Sequence, residues 1–293
     1  MRVRMMLGRV IVVIAAAWAS AAPAYAAGTI GAADPVRARL VPEARSVAPG
    51  GTLWVDFHLA ISPGWHIYWR NPGDSGLPTE IAWTLPPGFS TGEIAWPVPE
   101  HFVAGTIGTY GYTRSADLLV PIAAPATLAP GGTAHLAADA SWAVCSDICV
   151  PGGAKLALDL PIEAAPATPD PAIAALFAAA RDRLPKPAGF ATSFAVSGRD
   201  LHLSIPAAAL DGMSKPTASF FPLDANALDA SVAPKEERRA DGLELVLARA
   251  DGPTATLPAK PNGVLSGVLV LHGADGTERA FSIAAARTAA PSP

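Results

Sequence analysis

The chain contains two cysteines, Cys145 and Cys149, and they are the residues best suited to chemistry. In an extended strand, residues four positions apart would lie about 13 Å from each other, beyond the roughly 4.4–6.8 Å between Cα atoms that a disulfide tolerates. Pairing therefore requires the chain to turn back at residues 146–148, where Ser146 and Asp147 are residue types that favour turns. The spacing predicts a disulfide at the tip of a hairpin.

The residues alone leave three uses of this pair open. Closing so short a loop contributes only about 2 kcal/mol through chain entropy, and a tight bridge beside a turn is the kind more often labile or catalytic. Most disulfides of exported proteins are nevertheless structural. Two thiolates and a histidine would also suit Cu(I) or Zn(II). The six histidines are scattered without ligand spacing, so we predict no metal and no other cofactor.

The N-terminus predicts export. Arginines in the first nine positions precede an apolar run at 10–22 and a small-x-small cleavage site at 24–26. The run is shorter than the ~20 residues of a spanning helix, which favours a cleaved signal peptide at 1–26 over an uncleaved anchor. We therefore predict a periplasmic protein that is not inserted in the membrane after cleavage. The mature net charge of −7 (18 basic minus 25 acidic residues) argues against nucleic acid as a partner.

The hydrophobic pattern predicts an all-β chain. Leu53, Val55, Phe57 and Leu59 alternate on one face, and similar short strands separated by Pro and Gly turns recur along the sequence. A Pro- and Ala-rich stretch followed by helical spacing interrupts this pattern, and strands then resume. The predicted organisation is a first β-sandwich domain at 27–163, a helical linker at 164–187, a second β-sandwich domain at 188–287 and a disordered tail at 288–293.

Aromatic residues concentrate around the cysteines. All the Trp and Tyr residues that follow the predicted signal peptide precede residue 150, so the first domain is predicted to be the functional one. Large aromatics are more often core residues than recognition residues, and spacing does not decide between these roles. The candidates for shaping the site are Trp65, Tyr68, Trp69, Phe102, Tyr110, Tyr112 and Trp142.

Asp147 suggests a slow thiol pair. Its carboxylate lies between the two cysteines in sequence, and a nearby negative charge disfavours a thiolate. The apolar neighbours Val144 and Ile148 would add desolvation in the same direction. We therefore predict thiol pKa values above about 8.5, the value of a free cysteine. The alternative is an ordinary solvent-exposed turn aspartate.

Four ordered motifs resemble a known family. The sequence is similar to the periplasmic N-terminal domain of DsbD-type thiol:disulfide interchange proteins, and most similar to the ScsB branch. The matching motifs are Trp65-x-x-Tyr68-Trp69-x-Asn71-Pro72-Gly73-Asp74-Ser75-Gly76, Trp96-Pro97-x-Pro99, Tyr110-Gly111-Tyr112 and Trp142-x-Val144-Cys145-x-Asp147-x-Cys149-Val150-Pro151-Gly152.

The resemblance implies a fold and an activity. It implies immunoglobulin-like sandwiches and a protein thiol-disulfide oxidoreductase of the protein-disulfide reductase type. Cys149 would form the mixed disulfide, Cys145 would resolve it, and a cap loop near 101–112 with Phe102 would shield the pair. The implied partners are thioredoxin-fold periplasmic proteins and a separately encoded membrane electron carrier.

Overall fold

The computed structural model describes residues 34–165, 169–251 and 263–289. The predicted signal peptide and most of the predicted tail lie outside these residues. The described residues belong to one compact unit. Among them, no helix combines the length and the apolar character needed to cross a membrane.

The first half of the chain forms two antiparallel sheets. One sheet has the strand order β1-β2-β8-β5, and the other has the order β10-β9-β3-β7-β6, with β4 also paired to β9. The strands are β1 (Val36–Pro42), β2 (Thr52–Ile61), β3 (His66–Gly73), β4 (Glu80–Thr84), β5 (Ser90–Thr91), β6 (Glu100–Ala104), β7 (Ile107–Tyr112), β8 (Ser115–Ala123), β9 (Thr133–Cys145) and β10 (Cys149–Pro161).

These two sheets enclose a core and form what we call the first sandwich. The predicted alternation in β2 is confirmed, because Leu53, Val55, Phe57 and Leu59 are all buried. Phe57 and Leu59 share a buried cluster with Ile67 and Trp69 of β3 and with Val144 of β9. Since β2 belongs to one sheet and β3 and β9 to the other, this cluster is the apolar layer between them.

The predicted linker helix is present as α1 (Pro171–Asp182). Asp170 caps it by accepting a hydrogen bond from Ala172 N at 2.9 Å, and proline occupies the first helical position. Phe177 and Ala180 are buried against Leu119 of β8. The linker helix therefore packs on the outside of the sheet that contains β2 and β8.

The second half of the chain forms an eight-stranded sheet, which we call the second sandwich. Its order is β14-β17-β18-β12-β13-β16-β15, with β11 paired to β18. Phe220 of β14 and Leu245 of β16 belong to one buried cluster although they lie toward opposite ends of the sheet, so the sheet folds over to enclose a core. The strands are β11 (Lys186–Pro187), β12 (Ser193–Ser197), β13 (Asp200–Pro206), β14 (Thr217–Pro222), β15 (Lys235–Arg239), β16 (Gly242–Ala248), β17 (Val264–His272) and β18 (Glu278–Arg287).

The two sandwiches share apolar contacts. The rings of Trp69 and Tyr110 in the first sandwich pack edge-on against Phe221 in the second, at centroid distances of 6.3 and 5.4 Å. Val268 of β17 belongs to the same buried cluster. The all-β class with immunoglobulin-like sandwiches and a helical linker is therefore confirmed, while the domain boundaries stay predictions from composition.

Candidate active site

The two cysteines form a disulfide at the end of the hairpin made by β9 and β10. Cys145 is the last residue of β9, Cys149 is the first of β10, and they lie directly opposite each other in the register. Their sulfurs are bonded, with the Cα atoms 4.1 Å apart. Ser146 N donates to Ile148 O at 3.0 Å and closes the turn. The prediction of a disulfide at the tip of a hairpin is confirmed.

The two sulfurs have different environments. Cys145 is only 1 % exposed, whereas Cys149 lies at the surface. Between them, Ile148 is 65 % exposed, which is unusual for a large apolar side chain. A protein thiol that approaches this end of the hairpin would therefore meet Cys149 first, beside an apolar contact point.

Strand alternation places only some of the predicted residues at the disulfide. Successive side chains of a strand point to opposite faces of the sheet. In β3, Ile67 and Trp69 join the core, so His66 and Tyr68 point to the other face. In β9, Val144 is in the core and Cys145 is on that same other face. We call it the outer face of the sheet.

Tyr68 contacts the disulfide directly. Its hydroxyl donates to Cys145 Sγ at 2.9 Å and lies 3.7 Å from Cys149 Sγ. Burial raises the pKa of Tyr68, so the hydroxyl remains a donor at neutral pH. Gly76 allows the following loop to cover the ring, because a Cβ at this position would overlap the ring atoms of Tyr68. The φ angle of Gly76 is +108°, a conformation that also favours glycine.

His66 is a site residue that the sequence analysis did not include. It lies opposite Cys145 in the pairing of β3 with β9. Its ring lies 5.2 Å from that of Tyr68 and 5.3 Å from that of Phe102, measured between centroids. Burial lowers the pKa of His66, which favours the neutral ring at pH 7. Its position two residues before Tyr68 on one strand was the available signal, because such residues share a face.

Phe102 and Asp147 also lie near the disulfide. Phe102, which belongs to β6, reaches the outer face through its contact with His66. Asp147 is exposed in the turn and has no hydrogen-bonding or ionic partner among the described residues. Its effect on the thiols stays a prediction.

The other predicted aromatic residues lie on the inner side of the same sheet. Trp69 and Tyr110 pack at the contact with the second sandwich. Tyr112 donates its hydroxyl to Pro97 O at 2.9 Å, and burial raises its pKa. Trp142 packs edge-on against Phe57, and Trp65 is half-buried at the edge of the same core cluster. Among the described residues, none of these five side chains forms a hydrogen bond with Cys145 or Cys149.

Within the described ranges, one group of side chains is compact enough to hold a metal ion. The ligand atoms of Asp56, His58 and Asp117 lie within 4.8 Å of one another, on the sheet face that α1 covers. Burial and the neighbouring Asp117 carboxylate raise the pKa of Asp56 to about 8, so this carboxyl is protonated at neutral pH. Asp117 is already bound by His58 Nδ1 at 2.6 Å and by the Arg183 guanidinium. These bonds satisfy Asp117, whereas both carboxylate oxygens of Asp56 are buried without a hydrogen-bonding partner among the described residues. The group forms a buried polar cluster beneath the linker helix.

The fold and the site define a class of protein. An immunoglobulin-like sandwich carries a hairpin disulfide with one exposed sulfur and one buried sulfur that receives a hydrogen bond, which is the arrangement of a thiol-disulfide exchange module. Residues 37–161 match the family model of the N-terminal domain of the thiol:disulfide interchange protein DsbD. The match supports a DsbD-type N-terminal domain in this segment.

One solved structure shares the fold. The N-terminal periplasmic domain of ScsB from Proteus mirabilis is 20 % identical, covers 88 % of this chain and 96 % of its own, and has a TM-score of 0.62. The chain therefore shares the fold of that domain across both sandwiches. The reduced DsbD N-terminal domain of Neisseria meningitidis is 17 % identical over 42 % of this chain and 84 % of its own, with a TM-score of 0.26. No curated protein sequence matches the chain significantly.

Proposed function

We propose that the chain is a periplasmic protein thiol-disulfide oxidoreductase of the reductase type. It would receive two electrons from a thioredoxin-fold protein or a membrane electron carrier and pass them to periplasmic protein disulfides. The observation that carries this proposal is the asymmetry of the disulfide, in which Cys149 is exposed while Cys145 is buried and hydrogen-bonded by Tyr68.

The asymmetry supports separate roles for the two cysteines. In the reduction of this chain, a donor thiolate attacks Cys149 Sγ, the bond between Cys145 and Cys149 breaks, and Cys145 leaves as a thiolate. The Tyr68 hydroxyl lies where it stabilises that thiolate. The second thiol of the donor then attacks the donor sulfur of the mixed disulfide and releases reduced Cys149. The donor becomes oxidised as this chain gains two electrons.

Onward transfer uses the same two sulfurs in reverse order. The Cys149 thiolate attacks a substrate disulfide and forms a mixed disulfide, and one substrate sulfur leaves as a thiolate. Cys145 then attacks Cys149 Sγ, which releases the second substrate thiolate and restores the disulfide of this chain. Ile148, which is exposed next to Cys149 in the chain, offers apolar contact area for a docked protein. Leu77, in the loop that covers Tyr68, is a second exposed apolar side chain.

A trapping experiment tests this function. Cys145→Ala lacks the resolving thiol, and the probe is a thioredoxin that also lacks its own resolving cysteine and carries its remaining cysteine as a mixed disulfide with 5-thio-2-nitrobenzoate. The Cys149 thiolate attacks the thioredoxin sulfur, thionitrobenzoate leaves, and a stable mixed disulfide through Cys149 is expected to accumulate. Cys149→Ala is the matched control and is expected to trap little, because the remaining Cys145 is buried. Trapping by Cys149→Ala alone would reverse the roles. Absence of trapping, together with a reduction potential well below about −300 mV, would identify a structural disulfide instead.

A further inference from the structure

The end of β3 and the turn that follows it, which we call the loop at 71–76, connect the disulfide region to the second sandwich. Asn71 is only 3 % exposed, and its Nδ2 donates to Pro222 O of the second sandwich at 2.8 Å. Its Oδ1 accepts a hydrogen bond from Gly73 N at 3.0 Å. Five residues further on, Gly76 lies against the Tyr68 ring. One end of this loop therefore contacts the second sandwich, and the other end covers the Tyr68 ring, whose hydroxyl contacts the disulfide.

The hairpin of β6 and β7 is held by the same region of the second sandwich. His101 Nε2 lies 2.7 Å from Ala230 O. Gly108 approaches Ala230 so closely that a Cβ on Gly108 would overlap the Ala230 carbonyl group. This hairpin carries Phe102, the neighbour of His66 on the outer face. The second sandwich thus contacts both segments that lie beside the disulfide.

The loop and the hairpin are also joined to each other. Asp74 N donates to Gly108 O at 2.9 Å, and Gly108 N donates to Asp74 Oδ2 at 2.7 Å. Because Gly108 contacts Ala230 as well, a displacement of the second sandwich would disturb the loop and the hairpin together. The loop at 71–76, the β6–β7 hairpin and the second sandwich are therefore joined by one connected set of hydrogen bonds and close contacts.

We propose that the second sandwich determines which sulfur of the disulfide is attacked. Through Asn71, His101 and Gly108 it keeps the loop at 71–76 and the β6–β7 hairpin closed beside Tyr68, so that an incoming thiolate reaches Cys149 and not Cys145. Asn71 and His101 are positioning residues in this scheme. The proposal rests on the proposed exchange function and assigns to the second sandwich its selectivity.

The test uses the full chain and reduced glutathione as the probe, with rapid alkylation of the released thiol by N-ethylmaleimide. Glutathione thiolate forms a bond to one sulfur, the bond between Cys145 and Cys149 breaks, and the leaving thiolate is alkylated. Peptide mass mapping then shows which cysteine carries glutathione. In the wild type, we expect glutathione on Cys149 and the alkyl group on Cys145.

The variants weaken the contacts that join the loop at 71–76 and the β6–β7 hairpin to the second sandwich. Asn71→Asp removes the donor to Pro222 O, and Gly108→Ala forces Ala230 away. Asn71→Asp is expected to raise the ratio of Cys145 to Cys149 glutathionylation at least about fivefold, the factor for losing one typical buried hydrogen bond. Gly108→Ala is expected to raise the same ratio through its steric overlap with Ala230. His101→Ala changes an exposed residue and is the third variant, in case the others fail to fold. His101→Gln is expected to retain the wild-type ratio because its amide still donates to Ala230 O.

Gly189→Ala is the control for a glycine substitution, since a Cβ there meets open space and the φ angle is ordinary. Folded variants with the wild-type ratio, or a wild-type protein glutathionylated equally on both cysteines, would overturn the proposal. Failure of the exchange function is distinguishable, because it would abolish trapping by thioredoxin while leaving selectivity toward glutathione intact.

Discussion

Tyr68→Phe isolates one hydroxyl group at the disulfide. The Tyr68 ring is 2 % exposed and lies under the loop that contains Gly76, so phenylalanine is expected to occupy the same place. What is lost is the hydrogen bond to Cys145 Sγ at 2.9 Å. The substitution therefore tests whether that bond stabilises the leaving sulfur.

The size of the effect follows from the change of charge on Cys145. A hydrogen bond between neutral groups contributes about 0.5–1.5 kcal/mol, and one to a charged group contributes about 1.5–3 kcal/mol. The hydroxyl therefore favours the thiolate over the disulfide sulfur by about 1–1.5 kcal/mol, which corresponds to about 20–30 mV for a two-electron couple. Tyr68→Phe should make the reduction potential more negative by that amount and slow reduction by thioredoxin.

The assay is equilibration of the protein in dithiothreitol redox buffers at about pH 9.5, above the free-cysteine pKa of about 8.5, so that the Cys145 thiolate is populated in the reduced protein. The reduction rate is measured on the same samples. Tyr110→Phe is the matched control, because it removes a hydroxyl from the inner side of the same sheet, where Tyr110 packs against Trp69 and Phe221. Equal potentials for Tyr68→Phe and wild type, or an equal shift in the control, would refute the role of this hydroxyl.

Three further predictions concern stability, autonomy and reactivity. Burial raises the pKa of Asp56 to about 8, so the folded state keeps a proton on this carboxyl that the unfolded state releases above about pH 4. The free energy of unfolding therefore falls as the pH rises from about 4 to 8. In Asp56→Asn the free energy of unfolding should lose this pH dependence and rise relative to wild type by up to about 1.4 kcal/mol per pH unit in that range. Urea unfolding at pH 5 and 8 measures the difference, and parallel pH profiles for the two proteins would contradict the raised pKa. The fragment 27–163 keeps both sheets of the first sandwich and should fold and exchange disulfides, but with a lower Tm, because Trp69 and Tyr110 lose Phe221; a folded but inert fragment would show that exchange needs the second sandwich. Asp147→Asn should lower the pH midpoint of iodoacetamide alkylation of the reduced protein by a small amount, since solvent screens an exposed carboxylate, and an unchanged midpoint would exclude Asp147 as the cause of slow reaction.

The sequence by itself determined the local features of this protein. The period-two alternation in β2 and the helical spacing after Pro171 are properties of neighbouring residues, so the strands and the linker helix were predictable. The same is true of the hairpin disulfide, because a bridge across three residues has no geometry other than a tight turn. Tyr68 entered the candidate set through its motif, although no local rule says that its hydroxyl reaches a sulfur 77 positions away.

Only the tertiary structure decided which aromatic residues belong to the site. Trp69 and Tyr110 are, like Tyr68, aromatic residues of the family motifs. Their side chains nevertheless point to the inner face of the sheet, where they pack against Phe221 from a distant part of the chain. His66 belongs to the site because the pairing of β3 with β9 places it opposite Cys145. The different exposure of the two sulfurs likewise depends on which strands and loops cover Cys145. These properties arise from contacts between segments far apart in sequence, whose register and packing no local pattern encodes.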